Sequence, residues 1–155
     1  MATVSCLQLV KRACGMFHLR RLLQSFGVGR TQGRLSTADI MSKVKEISYD
    51  NLKKVTTTGD VLIVDVRSPE EVSNGKIPAS VNIPVDEFDQ ALKMNPEDFK
   101  KKFSVDKPKP EHNLIVHCQM GRRGARAAEI AMGQGYSKVQ NYAGGYKEWS
   151  DKGGH

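Results

Sequence analysis

The chain predicts an α/β fold, a single domain in which a mostly parallel central sheet is flanked by helices. Three observations carry that expectation. Val61-Leu62-Ile63-Val64-Asp65-Val66 and Leu114-Ile115-Val116-His117 are short apolar runs rich in β-branched residues, suited to strands buried on both faces. Ser68-Pro69-Glu70-Glu71 and Asn95-Pro96 are helix starts, each a capping side chain followed by proline at the first helical position. Strand signals and helix signals then alternate along the chain, which is the pattern of parallel strands joined by helical crossovers.

Taken in order, Lys45 to Ser48 is a short first strand. Ser48 or Asp50 caps a helix through Leu52 and Val55 that stops near Thr58-Gly59. The Val61 to Val66 strand leads into the Ser68 capping box and a short helix ending at Asn74-Gly75. Val81-Asn82-Ile83 is another strand. Asp86 to Met94 and Pro96 to Phe103 are two helices, the second capped by Asn95. Val105 to His112 is a polar loop containing proline, and Leu114 to His117 is the strand that delivers Cys118. A helix is expected from Gly124 to Gln134, with Gly133 and Gly135 at its end. Val139 to Tyr142 is the last strand, and Gly144-Gly145 turns into a helix carrying Tyr146 and Trp149.

Charge is unevenly spread over the 155 residues. Residues 1–38 hold Lys11, Arg12, Arg20, Arg21, Arg30 and Arg34 with no Asp or Glu, so this stretch contributes +6 of the net +7. The remainder has 18 basic residues (24 less those six) against 17 acidic ones. A nucleic-acid footprint belongs on the folded domain, and this core is nearly neutral. The acid-free, Arg-containing tail has the composition of a mitochondrial transit peptide; the alternative is a basic extension of a cytoplasmic protein. No apolar run reaches the about 18 residues of a membrane span.

Cys6 and Cys14 lie in the tail, leaving Cys118 as the core's one cysteine. A core with one cysteine holds no internal disulfide, C-x-x-C pair or cysteine-based zinc cluster. His18, His112, His117 and His155 offer no zinc-protease spacing either, so no metal site is expected. Cys118 ends an apolar strand and opens a loop, Gln119-Met120-Gly121-Arg122-Arg123, that runs into a helix. Inward-facing N–H groups of such a loop and the positive end of the helix dipole both favour a thiolate. In open parallel sheets ligands bind beyond the carboxyl ends of the strands, where Cys118 sits and where Asp65-Val66-Arg67 can reach the same crevice. The spacing from Cys118 to Arg123 is C-x4-R. Cysteine phosphatases use C-x5-R around a tetrahedral phosphate, and a ring one residue smaller suits a single sulfur atom carried on the cysteine.

The chain resembles the rhodanese family of thiosulfate sulfurtransferases over about residues 44–152. The resemblance is carried by Val64-Asp65-Val66-Arg67 with Glu70, Gly75-Lys76-Ile77-Pro78-Ala79-Ser80, Asn82-Ile83-Pro84, His117-Cys118-Gln119-Met120-Gly121-Arg122-Arg123 and Asn141-Tyr142-Ala143-Gly144-Gly145-Tyr146-Lys147-Glu148-Trp149. The loop is most similar to that of small single-domain animal members. Gly124 departs from the many relatives with Ser or Thr there, which removes a hydroxyl donor. The resemblance implies a rhodanese-like domain with no cofactor and a ping-pong reaction. Cys118 takes a sulfane sulfur from thiosulfate or a related donor, holds it as a persulfide, and passes it to cyanide, glutathione or a protein thiol.

Under that implication the backbone N–H groups of Gln119, Met120, Gly121, Arg122, Arg123 and Gly124 cradle the persulfide, with Gly121 at positive φ. Arg122 attracts the dianionic donor or is a solvated charge. Arg123 closes the loop with a carboxylate or sits beside the donor. Arg67 binds the sulfonate end of thiosulfate or forms a structural ion pair with Asp65 or Glu70. His117 is structural, since strand alternation points it away from Cys118. Tyr146 and Trp149 pack the last helix. The other functional classes are a cysteine phosphatase or arsenate reductase on the same fold, and a non-catalytic binding module.

Overall fold

Leu62–Asp65 and Asn113–His117 are neighbouring parallel strands at the middle of a five-stranded sheet. The structure is a computed structural model, and it describes residues 44–59 and 61–154; the basic tail lies outside the described residues. Strand β1 is Lys45–Glu46, β2 Leu62–Asp65, β3 Ser80–Asn82, β4 Asn113–His117 and β5 Lys138–Tyr142. Their order across the sheet is β1-β5-β4-β2-β3, and every pairing is parallel. The helices are α1 Tyr49–Thr58, α2 Pro69–Ser73, α3 Val85–Lys93, α4 Pro96–Phe103, α5 Arg122–Gly133 and α6 Gly145–Asp151.

Alternation along the central strands divides the core in two. Val64, Val66, Leu114, Val116 and Val139 face α3, α4 and α5, where Phe88, Leu92, Phe99, Ala127 and Ala131 are buried. Ile63 and Ile115 face the other way, against Leu52 of α1, Ile77, Tyr142 and Trp149 of α6. Strands covered on both faces are why the runs read as continuously apolar rather than alternating.

Local side-chain chemistry accounts for the starts of two helices. The Ser68 side chain accepts from Glu71 N at 3.3 Å while the Glu71 carboxylate accepts from Ser68 N at 3.1 Å, a complete capping box. Asn95 accepts from Asp98 N at 2.8 Å. Ser48 occupies the N-cap of α1 but makes no side-chain cap bond. One boundary differs from the sequence expectation in a way that matters. Helix α5 starts at Arg122, two residues before Gly124, with Gly121 as its N-cap. Gly124 looks like a helix breaker in sequence, yet it sits inside the first turn, where burial on β4 and β5 outweighs its poor propensity. Arg122 and Arg123 are therefore helical residues, and the loop proper is Gln119-Met120-Gly121.

Candidate active site

Cys118 is the first residue beyond β4, at the carboxyl edge of the sheet. It is 2 % exposed and packs into the core beside Val66 and Val116. It also lines a pocket of about 570 Å³ together with Gln119, Met120, Arg122, Arg123 and Arg126. A free cysteine at the floor of an open, cationic pocket is placed to react rather than only to fill space.

The loop beyond Cys118 is held by its carbonyls. Tyr146 N donates to the Cys118 carbonyl at 2.8 Å, and Lys147 N donates to the Gln119 carbonyl at 3.1 Å. These are first-turn N–H groups of α6, so the loop satisfies donors that the helix itself cannot. Gly145 makes the approach possible, because it has φ 62° and a Cβ there would lie 2.5 Å from both carbonyl oxygens. The Gly121 carbonyl accepts from Ala125 N at 2.9 Å and from Asn141 Nδ2 at 3.3 Å. In a trans peptide the N–H lies opposite the preceding C=O. The engaged carbonyls of Cys118, Gln119 and Gly121 thus direct the N–H groups that follow them, of Gln119, Met120 and Arg122, away from the partners of those carbonyls. Among the described residues, no N–H from Gln119 to Gly124 has a protein acceptor. With the start of α5, they are available to hydrogen-bond an anion.

Gly121 has φ 83°, and a Cβ on it would run into the Ala143 carbonyl. Gly121→Ala is expected to cost about 1–3 kcal/mol, read as a lower denaturant midpoint; an unchanged midpoint would show that the loop needs no left-handed residue. At Gly124 the space of a side chain is filled by the Asn141 amide oxygen, so the missing hydroxyl reflects packing against β5.

Of the two readings the sequence leaves open for Arg67, the structure shows the ion pair with Asp65. Its side chain is 1 % exposed and all of its donors are engaged. Nη2 meets Asp65 Oδ2 at 2.7 Å and the Gly75 carbonyl at 2.8 Å. Nε is 3.0 Å from both Asp65 oxygens, and Nη1 donates to Gln119 Oε1 at 3.1 Å and the Glu71 carbonyl at 3.4 Å. The Tyr146 ring stacks on the guanidinium at 4.2 Å. No donor is left for a sulfonate. Arg67 instead ties β2, α2, α6 and the cysteine loop together, with Asp65 as its buried counter-ion. His117 is fully buried on the face opposite Cys118, its Nε2 3.9 Å from Asp65 Oδ2; burial, the largest effect, holds its pKa below the ordinary value.

Arg123 makes a two-pronged ion pair with Glu71, at 2.6 and 2.7 Å. Those bonds dominate in lowering the Glu71 pKa from 4.5 to about 2, against a smaller opposing effect of burial and with added help from Ser68. A depressed carboxylate pKa stabilises the fold above the unfolded value and loses that contribution as pH falls through the folded value. Wild type is therefore expected to exceed Glu71→Gln in stability above about pH 4.5, with the gap closing toward pH 2. The pair is about one-third exposed, so the gap is about 1 kcal/mol or less. Denaturant titrations of both proteins across that range test it; a gap independent of pH would contradict it. The capping box identifies Glu71 in the sequence, but its partner across 52 residues carries no sequence signal.

Arg122 and Arg126, exposed and one helical turn apart on α5, complete the pocket wall. Arg126 and the buried Asn141 are site residues that sequence reasoning missed. Arg126 follows Arg122 by four positions and so shares its face. Met120, 66 % exposed, stands at the pocket rim. A second cavity, of about 360 Å³ and lined in part by Lys45, Asn113 and Lys138, is at the opposite edge of the sheet and includes no residue of the cysteine loop.

The family model of the rhodanese-like domain matches residues 48–152. A human relative named thiosulfate:glutathione sulfurtransferase is 42% identical over 72% of this chain and 98% of its own. A Saccharomyces cerevisiae relative named thiosulfate sulfurtransferase RDL2, mitochondrial, is 41% identical over 60% of this chain and 62% of its own. The solved structure of the human single-domain sulfurtransferase TSTD1 superposes with a TM-score of 0.67 at 42% identity, over 70% of this chain and 97% of that one. Fold, site geometry and these matches agree that the chain belongs to the rhodanese family, with one rhodanese-like domain of the single-domain sulfurtransferase type.

Proposed function

We propose that the protein is a thiosulfate sulfurtransferase that carries sulfur on Cys118 and delivers it to a thiol such as glutathione. The observation that carries this reading is the row of unengaged N–H groups from Gln119 to Gly124 around a cysteine at the floor of a cationic pocket. The name of the human relative supports the donor and the acceptor.

In the first half-reaction the Cys118 thiolate attacks the outer sulfur of thiosulfate. A new S–S bond forms, the old one breaks, and sulfite leaves with its electron pair. The anionic persulfide is stabilised by the N–H cradle and the end of α5, and Arg122 draws the dianion in. In the second half-reaction a glutathione thiolate attacks the terminal sulfur, leaving as glutathione persulfide and restoring the Cys118 thiolate. The structure offers no other cysteine among the described residues, so the acceptor comes from outside the domain.

Initial rates with both substrates varied are expected to give the parallel double-reciprocal lines of a substituted-enzyme mechanism. Intersecting lines would require a ternary complex and overturn it. For the basic segment 1–38 the reading is a mitochondrial transit peptide, in keeping with its composition and with the name of the yeast relative. Among the described residues no helix is long and apolar enough to cross a membrane.

A further inference from the structure

We infer that Arg126, with Arg122, selects the acceptor by reading its carboxylates, so that the site favours anionic thiols of the glutathione type over neutral or cationic ones. This rests on the sulfurtransferase reading above and concerns its second half-reaction.

Three observations lead to it. First, the cysteine pocket is much larger than its donor needs. About 570 Å³ falls within the roughly 300–1,000 Å³ of sites that hold drug-sized ligands. Thiosulfate has five heavy atoms and, once bonded to Cys118, leaves only one sulfur behind. The unfilled space suits a molecule the size of a tripeptide.

Second, the free charge on the pocket wall is positive and in excess of what the fold uses. Arg123 is neutralised by Glu71. Arg122 and Arg126 have no ion pair or side-chain hydrogen bond among the described residues, and both are exposed.

Third, Arg122 stands where it works against its own helix, and Arg126 adds a like charge one turn further on. Cations at a helix N-terminus oppose the macrodipole, and like charges four residues apart repel. Helix α5 has no acidic residue in its first turn, whereas α1, α2, α3, α4 and α6 each have at least one. A cluster that breaks local stability rules without a compensating contact marks a functional use.

Placement separates the two roles. Arg122 begins α5 beside the sulfur cradle. Arg126 lies about 6 Å further along the helix axis, farther from the transferred atom. The carboxylates of glutathione are likewise several bonds from its thiol, so a molecule with its sulfur at Cys118 extends them outward along the arginine face. Guanidinium forks are suited to carboxylates.

The test separates this inference from the reading beneath it. The full chain is treated with thiosulfate, freed of excess donor and assayed for the gained sulfur. Discharge is then timed with glutathione, neutral 2-mercaptoethanol and cationic cysteamine, for wild type, Arg126→Lys, Arg126→Ala and Arg126→Glu. Relative to 2-mercaptoethanol, the second-order rate for glutathione is expected to fall about threefold in Arg126→Ala and about tenfold in Arg126→Glu, with Arg126→Lys intermediate. The relative rate for cysteamine is expected to rise in Arg126→Glu. The loss should appear in the glutathione concentration dependence rather than in the saturating rate. Melting curves of the variants establish that all are folded. Relative rates that do not change, or that fall together for glutathione and cysteamine, overturn the assignment. If wild type gains no sulfur from thiosulfate, the sulfurtransferase reading itself fails.

Discussion

Replacing Cys118 with serine is expected to abolish sulfite release from thiosulfate, a loss of at least about a thousandfold, while leaving the fold intact. A serine hydroxyl needs a base to become a nucleophile, and among the described residues none lines the pocket. His117, the adjacent histidine, is buried on the opposite face of the strand. Serine cannot form a persulfide in any case. The two side chains have nearly the same shape, so the packing of position 118 against Val66 and Val116 is retained. The expected observation is a variant with a near-wild-type melting temperature that releases no sulfite, even in the stoichiometric first turnover. Residual turnover by a folded Cys118→Ser protein would show that another group carries the sulfur.

The second large effect is on stability. Arg67→Met is expected to destabilise the domain by about 3–5 kcal/mol, because it leaves the Asp65 carboxylate buried without a counter-ion. The Gly75 carbonyl and Gln119 Oε1 lose donors as well. For a domain of this size that corresponds to a fall in Tm of about 12 °C or more. Arg67→Lys recovers little, since an ammonium cannot span Asp65, Gly75 and Gln119 as the guanidinium fork does. The double substitution Asp65→Leu with Arg67→Met is expected to be more stable than Arg67→Met alone, because the orphaned charge is gone. A direct role in binding thiosulfate would give the opposite pattern, a raised KM with an unchanged Tm. Thermal melts and donor titrations on the same three proteins distinguish the two.

Much of this was legible in the sequence because local rules and tertiary structure agree. The Val61 to Val66 run, the Ser68 capping box and the Asn95 cap each announce an element through chemistry within a few residues. Cys118 was legible for the same reason, as strand end and helix start are adjacent in the chain. The shortfalls are all non-local. Gly124 argues for a late helix start until Asn141, 17 positions further on, is seen to need its missing side chain. The sequence leaves Arg67 open between an anion site and an ion pair with Asp65 or Glu70, and only the convergence of Asp65, Gly75 and Gln119 on its donors decides for the ion pair. The orientation of the loop depends on N–H groups of Tyr146 and Lys147, contributed by a helix that reads in sequence as simple packing. Arg126 resembles any solvated helix residue until its position on the pocket wall is known.

The central claim is that sulfur travels on Cys118, and intact mass tests it most directly. Wild-type protein is mixed with thiosulfate, separated from excess donor and weighed, then weighed again after glutathione is added. The account predicts a gain of one sulfur atom, absent in Cys118→Ser and reversed by glutathione. No gain from thiosulfate or another sulfane donor, or a gain that persists in Cys118→Ser, would contradict it; turnover of a phosphate ester in place of that gain would point to phosphatase chemistry on the same loop.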